Sequence, residues 1–345
     1  MKANTNSTQT EASNGRQLVI EGKLIPVHFQ ELPVKEIVLD PDNPRIQHAV
    51  RQKFKNLAIK QEDLLNLIYE QPGVPELMVA IRDNGGLTDP IYVRPDGRVI
   101  EGNCRAVSFL KLGKAKSQDP AWKSIPAFIV PSISDRQVAI LQGSQHVAGK
   151  NKWRAYEKIG HLHTMHTKLG MTPEDIAKAL GLGRASSVKQ DLLAYTAMTE
   201  KLLPKMGGAN DLQKWSYVQE FYKNKHLVDY RNKSENVDEF MSMVAGGCFK
   251  KGEQVRHLHK ILKVPAAVRA LKKKDISAAL DATSKVDPTV NSKLMRKLQN
   301  ATESIKKMPA KELQQLLQEE SSRAIFAQLV DAIREAGRAA KVKFA

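Results

Sequence analysis

Cysteine is nearly absent: Cys104 and Cys248 are the only two in 345 residues, far apart and without a CxxC spacing. Neither a disulfide framework nor a cysteine-based zinc site is indicated, and a reducing, cytoplasmic setting follows. Aromatic residues make up 6% of the chain, which suits a helix-rich protein better than an all-β one. No apolar run approaches the roughly 20 residues of a membrane helix. Met1 to Gln17 is rich in Asn, Thr, Ser and Gln with no apolar stretch behind a basic one, so no signal peptide is read. Acid is the scarcest component relative to its opposite: 37 Asp and Glu face 54 Lys and Arg, for a net charge of +17 and a pI near 9.7. Such a surplus attracts polyanions, because neutralised phosphates release their condensed counterions. Nucleic acid is the leading partner, with an anionic membrane surface behind it.

Residues 1–30 read as a disordered tail, polar and aperiodic to about Gly22, with structure beginning near Glu31. A short strand or turn is expected over 32–39, then a loop at Asp40-Pro41-Asp42-Asn43-Pro44. The spacing of Leu64, Leu65, Leu67 and Ile68 predicts a helix over 61–70, and a second is expected over 75–82, closed by Asn84-Gly85-Gly86. Pro90 to Arg94 and Arg98 to Glu101 read as strands about a Gly-containing turn, 106–112 as a helix ended by Gly113, and Ile125 to Val130 as β-like. This mixture makes 31–131 a compact α+β domain. Past Pro131 the chain changes character. Ser134 and Gln137 form a capping-box pattern, helices are expected at 152–169 and 211–222, and no strand is read to the C-terminus. The expected divisions are a helical domain over 132–225 and a basic helical region over 226–345, a candidate for dimerisation.

The best-marked local pattern lies at 172–195. Thr172-Pro173-Glu174-Asp175 places a hydroxyl at an N-cap, proline at the first helical position and acids in the first turn. Ile176, Ala177 and Leu180 form one apolar face, and Gly181-Leu182-Gly183 breaks the helix. A second helix begins at Arg184, with Val188, Leu192 and Tyr195 recurring at inward spacing. Its other side carries Arg184, Ser186, Ser187, Lys189 and Gln190, groups able to reach phosphate oxygens or base edges in a major groove. The string resembles the helix-turn-helix of bacterial DNA-binding proteins; the bland counterpart is a helical hairpin packed for stability alone.

Upstream, Gly86-Leu87-Thr88-Asp89-Pro90-Ile91-Tyr92-Val93-Arg94 resembles the G-L-x-x-P-I-x-V-R box of the ParB/sulfiredoxin-like superfamily, and Glu101-Gly102-Asn103-Cys104-Arg105-Ala106 its G-E-R-R box. Asn43-Pro44-Arg45 matches the opening segment and Ile125-Pro126-Ala127 the closing strand, so the resemblance covers about residues 31 to 200. It implies a ParB-like α+β domain followed by an all-α helix-turn-helix and helical C-terminal regions. By the same resemblance the domain would bind CTP, with Mg²⁺ accompanying it, and close a dimeric clamp on DNA. Carried over by position, Gly86, Leu87, Thr88 and Pro90 would line the base and ribose, and Gly102, Asn103, Cys104 and Arg105 would meet the triphosphate. Gly102 at a strand-to-helix junction frees backbone N–H groups for an anion, and Arg105 adds a fixed charge. The boxes are altered, however: Asn103 and Cys104 replace Glu and Arg. The third box, usually E-N-x-x-R, falls at Ser144-Gln145-His146-Val147-Ala148 without its acid or arginine. Lys150, Lys152 and Arg154 are nearby substitutes for the lost charge.

The implied function is a site-specific, CTP-dependent DNA-binding protein of plasmid, phage or chromosome partition. It would be a cytoplasmic homodimer on nucleoid or plasmid, at most a slow CTPase, served by a ParA-like ATPase. Two alternatives stay open: a nucleotide-independent transcriptional repressor of the same architecture, and an enzyme of the superfamily. Cys104 lies one residue past the position of the sulfiredoxin nucleophile and reads as a buried small side chain rather than a reactive thiol. His146, His161, His163 and His166 suggest packing between helices, not a metal site. From Lys250 to Lys307, fifteen Lys and Arg face five acids. Lys272, Lys273 and Lys274 stand there as a second phosphate-contacting surface or a solvated one. An amphipathic terminal helix from Pro309, with Leu313, Leu316, Leu317, Ile325, Leu329 and Ile333, is core or dimer interface.

Overall fold

Apolar residues on either side of Glu21-Gly22 fold the end of the expected tail into a hairpin, β1 (Gln17–Ile20) and β2 (Lys23–Pro26). The computed structural model describes residues 16–54, 57–148, 153–207, 211–290 and 292–339. The first fifteen residues of the expected tail lie outside these, but 16–30 are structured, which corrects the reading of 1–30 as disordered. The turn pairs Ile20 with Lys23 through Glu21 and Gly22 at φ 50° and 74°, the left-handed pair that a two-residue hairpin loop requires. Ile20, Ile25 and Val27 are buried, and β3 (His28–Pro33) starts before Glu31.

Four strands make the main sheet, in the order β3-β6-β4-β5, with β4 (Ile91–Val93), β5 (Val99–Glu101) and β6 (Ser124–Ile129). Strand β6 runs antiparallel to β3 and parallel to β4, and β4 and β5 form the expected antiparallel pair. Four helices accompany the sheet: α1 (Gln47–Phe54), α2 (Gln61–Tyr69), α3 (Val74–Asp83) and α4 (Asn103–Ala115). Leu64, Ile68, Ile91, Val99, Phe109, Trp122 and Ile125 are among the core residues they bury together. Helix α1 was not anticipated; its sequence carries little apolar periodicity. Helix α4 begins at Asn103 and runs through Gly113 instead of ending there. A Cβ at Gly113 would stand 2.9 Å from the Trp122 carbonyl oxygen, so this glycine serves close packing, not termination.

Helices continue with α5 (Asp135–Gly143), opened by the Ser134–Gln137 capping box, and α6 (Ala155–Thr167). Then come α7 (Pro173–Leu180), α8 (Ala185–Ala197), α9 (Trp215–Lys223), α10 (Val228–Arg231) and α11 (Ser234–Ala245). Aromatic rings bind them: Tyr156 lies 4.8 Å from Tyr195 and 6.0 Å from Trp215 between centroids, and Phe221 stacks on Phe240 at 3.9 Å. The histidines serve packing here. Buried His161 meets the Ala139 carbonyl at 2.7 Å, His166 meets that of Met171 at 2.8 Å, and His163 lies against Tyr195.

The chain divides into two compact units, 1–246 and 247–345. The α+β and helix-turn-helix regions therefore share one unit, and α10 and α11 belong with them instead of with the C-terminal region expected from 226. The second unit is helical among its described residues: α12 (Gly252–Val255), α13 (Leu258–Ile261), α14 (Pro265–Lys272), α15 (Ile276–Ser284), α16 (Lys293–Lys307), α17 (Ala310–Leu316) and α18 (Glu320–Ala339). The single helix expected from Pro309 is two, α17 and α18, with Ile325, Val330 and Ile333 exposed on the second. The observed architecture is an α+β region followed by helical regions, and no described helix is long and apolar enough to cross a membrane.

Candidate functional site

Two features of the first unit bear on function, a helix pair with one solvent-facing side and a cavity in the α+β region. The pair forms as its sequence dictates. Thr172 Oγ1 accepts from Asp175 N at 3.1 Å and donates to Asp175 Oδ2 at 2.9 Å, closing the N-terminus of α7. Gly181, at φ 62°, ends it, with Leu182 N donating to the Ala177 carbonyl at 2.9 Å. Ile176, Ala177 and Leu180 of α7 and Val188, Leu192 and Tyr195 of α8 are buried, as their spacing predicts. Half-buried Asp191 accepts from Gln219 Nε2 at 2.8 Å and fixes α8 against α9.

On the other side, Arg184, Ser186, Ser187 and Lys189 are exposed and Gln190 is half-buried. Leu193, 52% exposed, extends the face that Ser186 and Lys189 begin. Sequence reasoning missed it, although its i+4 spacing from Lys189 was available. An exposed aliphatic side chain among donors is what a thymine methyl in a major groove can meet. Lys272, Lys273 and Lys274 are exposed at the end of α14 in the second unit.

The cavity, about 850 Å³, is built where three helices begin. Asn43-Pro44-Arg45 leads into α1, Pro72-Gly73-Val74 into α3 and Gly102-Asn103-Cys104-Arg105 into α4, and all line it. Helix α4 has no side-chain cap and no acid in its first turn, so its leading N–H groups and the positive end of its dipole are left to a ligand. Two buried polar atoms in the lining are orphaned: Asn43 Nδ2 and Asn103 Oδ1 have no hydrogen-bond partner. Asn43 is 5% exposed and its Oδ1 already accepts from Arg45 N at 3.1 Å, so only its donor remains unspent. Buried polar groups are seldom left so, which marks a place for a polar ligand.

The cavity gathers Thr88, Pro90, Gly102, Asn103, Cys104 and Arg105 of the expected site residues. Gly86 and Leu87 fall outside its lining, because Leu87 packs against the core. Arg154 is outside it too, while Lys150 and Lys152 lie beyond the described residues. The third altered box contributes Gln145 and His146, with His146 stacked on Trp153 at 4.7 Å. Arg16, Gly73 and Gln142 are lining residues that the sequence reading did not find, and Glu101, quoted with the second box, was given no role there. Arg16 was assigned to the tail and in fact sits 4.8 Å from the Phe128 ring centroid.

The charges are arranged differently from expectation. Arg105, read as a cation awaiting phosphate, is engaged by its own chain: Nη1 donates to the carbonyls of Asp89 at 2.7 Å and Pro90 at 3.2 Å, and Nη2 pairs with Glu101 Oε2. Glu101 lies at the strand end four residues before it, 16% exposed at its side chain, and its Oε1 faces His146 Nε2 at 3.8 Å. Arg45 and Arg16 are the other arginines of the lining. Burial pushes the Cys104 thiol up from its ordinary pKa, the opposite of what a reactive thiolate needs. No cluster of three or more His, Cys, Asp or Glu able to hold a metal occurs among the described residues.

No family model and no curated protein matches the chain. Among solved structures, the C-terminally truncated chromosome-partitioning protein ParB from Caulobacter crescentus, complexed to the centromeric parS site, is similar at 16% identity and a TM-score of 0.33. That match covers 67% of this chain and 98% of the other. The same truncated protein complexed with CTP-gamma-S matches at 16% identity and a TM-score of 0.21, covering 63% and 98%. Likeness at these scores is too slight to carry function.

Proposed function

We propose that this chain is a ParB-like, site-specific DNA-binding protein acting in partition, which docks α8 in the major groove and holds a nucleoside triphosphate in the cavity. The observation that carries the DNA reading is the two-sidedness of α8. Its inner residues are locked into the core, while Arg184, Ser186, Ser187 and Lys189 stay open to a duplex. Phosphate contacts from the arginine and lysine supply affinity, and the smaller polar groups read base edges. The exposed Lys272, Lys273 and Lys274 add phosphate contacts without sequence choice. A homodimer presents two such helices to paired half-sites. A ParA-like ATPase as partner and a place on nucleoid or plasmid follow from the partition reading.

For the nucleotide, the residues fit the group. The uncapped start of α4, the spare donor of Asn43 and the arginines of the lining are what a polyphosphate takes. The motif resemblance names CTP, with Mg²⁺, as the ligand. Thr88 and Pro90 would flank the base and ribose, and Gly102, Asn103, Cys104 and Arg105 the phosphates. Anisotropy titration of a labelled duplex pool, with and without CTP and Mg²⁺, tests the whole: duplex is bound, and CTP with Mg²⁺ changes the affinity. No duplex binding at moderate salt contradicts it. One observation favours a second reading, a repressor that needs no nucleotide: Arg105 is already paired with Glu101. Duplex affinity indifferent to every nucleoside triphosphate selects that reading.

A further inference from the structure

Alternation along the strands puts aliphatic side chains on one face of the main sheet and aromatic rings on the other. Leu32, Ile91, Val93, Ile125 and Ala127 are buried in the core, so Phe29, Tyr92 and Phe128 stand on the opposite face. The strand register sets these three side by side: Phe29 of β3 is the partner of Phe128 of β6, which is the partner of Tyr92 of β4. Ring centroids lie 5.9 Å apart in the first pair and 5.3 Å in the second, and the Arg16 guanidinium lies 4.8 Å from the Phe128 centroid. Strand β3 is an edge of the sheet, and Phe29 is 59% exposed on it, while Phe128 and Tyr92 are half-buried. An open sheet edge that presents a large ring to water is a liability unless something docks there. Phe29 and Phe128 lie outside the cavity lining, and neither the duplex reading nor the nucleotide reading uses them.

We propose that this aromatic row is a stacking platform for the unpaired bases of a single nucleic acid strand. Four-stranded sheets that carry two or three rings on an open face recur as such platforms, because every base offers a π-face to a ring. Phe29 takes a base at the open edge and Phe128 the next one inward. Arg16 lies over Phe128 with a planar cation, which stacks on a base or turns to its phosphate. The net charge of +17 supplies the long-range attraction for a polyanion. Glu31 stands two residues along β3 on the same face, exposed, and opposes that attraction locally. Stacking tolerates any base, so sequence choice stays with α8. The platform requires neither α8 nor a nucleotide in the cavity.

The test is anisotropy titration of a fluorescein-labelled oligothymidylate of about 12 nucleotides with the full chain, as wild type, Phe29→Ala, Phe29→Leu and Phe29→Trp. The wild type is expected to bind, Phe29→Ala and Phe29→Leu to bind about fivefold more weakly or worse, and Phe29→Trp at least as tightly as the wild type. The indole added in Phe29→Trp should also be quenched by the strand. Because Phe29 is exposed, these substitutions leave the fold standing, and duplex affinity is unchanged in all of them. Glu31→Gln tightens strand binding. A parallel arm with oligouridylate distinguishes the sources: tighter binding of the deoxy strand assigns the platform to single-stranded DNA and tighter binding of the ribo strand to RNA, and either carries the proposal. Equal strand affinity in Phe29→Ala and the wild type overturns it, since charge alone then holds the strand. So does wild-type affinity in Phe29→Leu, which marks an apolar patch for another protein. Absence of strand binding by the wild type overturns the proposal and leaves the duplex reading standing.

Discussion

Arg51 Nη1 donates a hydrogen bond to the Tyr195 hydroxyl over 3.0 Å, joining α1 to the helix whose outer face is assigned to DNA. The same guanidinium reaches Gln47 Oε1 at 3.5 Å, and Gln47 Nε2 donates to the Asp42 carbonyl at 2.9 Å, beside Asn43 in the cavity wall. The α+β region thus braces α8 through named polar contacts. Tyr195→Phe keeps the buried ring and removes only the acceptor, at an expected cost of about 1 kcal/mol. Urea unfolding of Arg51→Ala, Tyr195→Phe and the double variant should show a coupling energy of roughly 0.5–1 kcal/mol. Strictly additive effects would mean that the bond contributes nothing.

Gly102 illustrates how tightly the cavity is built. It stands at φ 93°, and a Cβ there would lie 2.8 Å from Ile91 Cγ2 and 3.1 Å from Arg105 Nη2. Gly102→Ala is expected to destabilise the first unit by roughly 1–3 kcal/mol, combining left-handed strain with the clash. Thermal and urea melts check this, and unchanged stability would mean that the turn relaxes freely.

The donor of Asn43 gives a test of the ligand. Asn43→Asp retains an oxygen to accept from Arg45 N and replaces the unspent donor with a negative charge. CTP affinity should fall at least tenfold in calorimetry run well below the melting temperature, which the buried carboxylate also lowers.

His161 makes one contribution to pH dependence. Burial lowers its pKa from 6.5 to about 4, against a bond to the Ala139 carbonyl that acts the other way. Between these values the unfolded chain binds a proton that the folded chain refuses, so stability is lost as the pH falls from about 6.5 to 4. The lowered pKa corresponds to roughly 3 kcal/mol across that window. His161→Gln should show a shallower acid loss than the wild type by about that amount, in unfolding curves measured at stepped pH. Parallel curves for the two proteins would remove His161 from the account.

Much of this was legible in the chain, and the failures have physical causes. The capping box at Ser134, the N-cap at Thr172, the inward spacing of Val188, Leu192 and Tyr195 and the strand pair about Pro95-Asp96-Gly97 are local signals. Local hydrogen bonding and periodicity decide them, and the structure keeps them. The β1–β2 hairpin escaped notice because its turn is Glu-Gly, not the Asn-Gly that favours left-handed backbone most strongly. Gly113 misled because a glycine that admits a neighbouring carbonyl looks, in sequence, like one that stops a helix. The cavity was half visible: its motifs named the start of α4 and the segment before α1. Arg16, Gly73 and Gln142 arrive from distant parts of the chain, and only folding brings them together. Arg105 was identified as a cavity residue, yet its pairing with Glu101 was missed. The i,i+4 spacing was available, but it spans a strand end and a helix start where no periodicity rule applies.

The most direct test of the DNA assignment is the salt dependence of duplex binding by the wild type and by the double variant Arg184→Ala with Lys189→Ala. Both side chains are exposed, so the double variant should fold as the wild type does. Losing two phosphate contacts should weaken binding and reduce the slope of log affinity against log salt by about 1.8. An unchanged affinity and slope in a folded double variant would contradict the claim that α8 is the surface on which DNA lands.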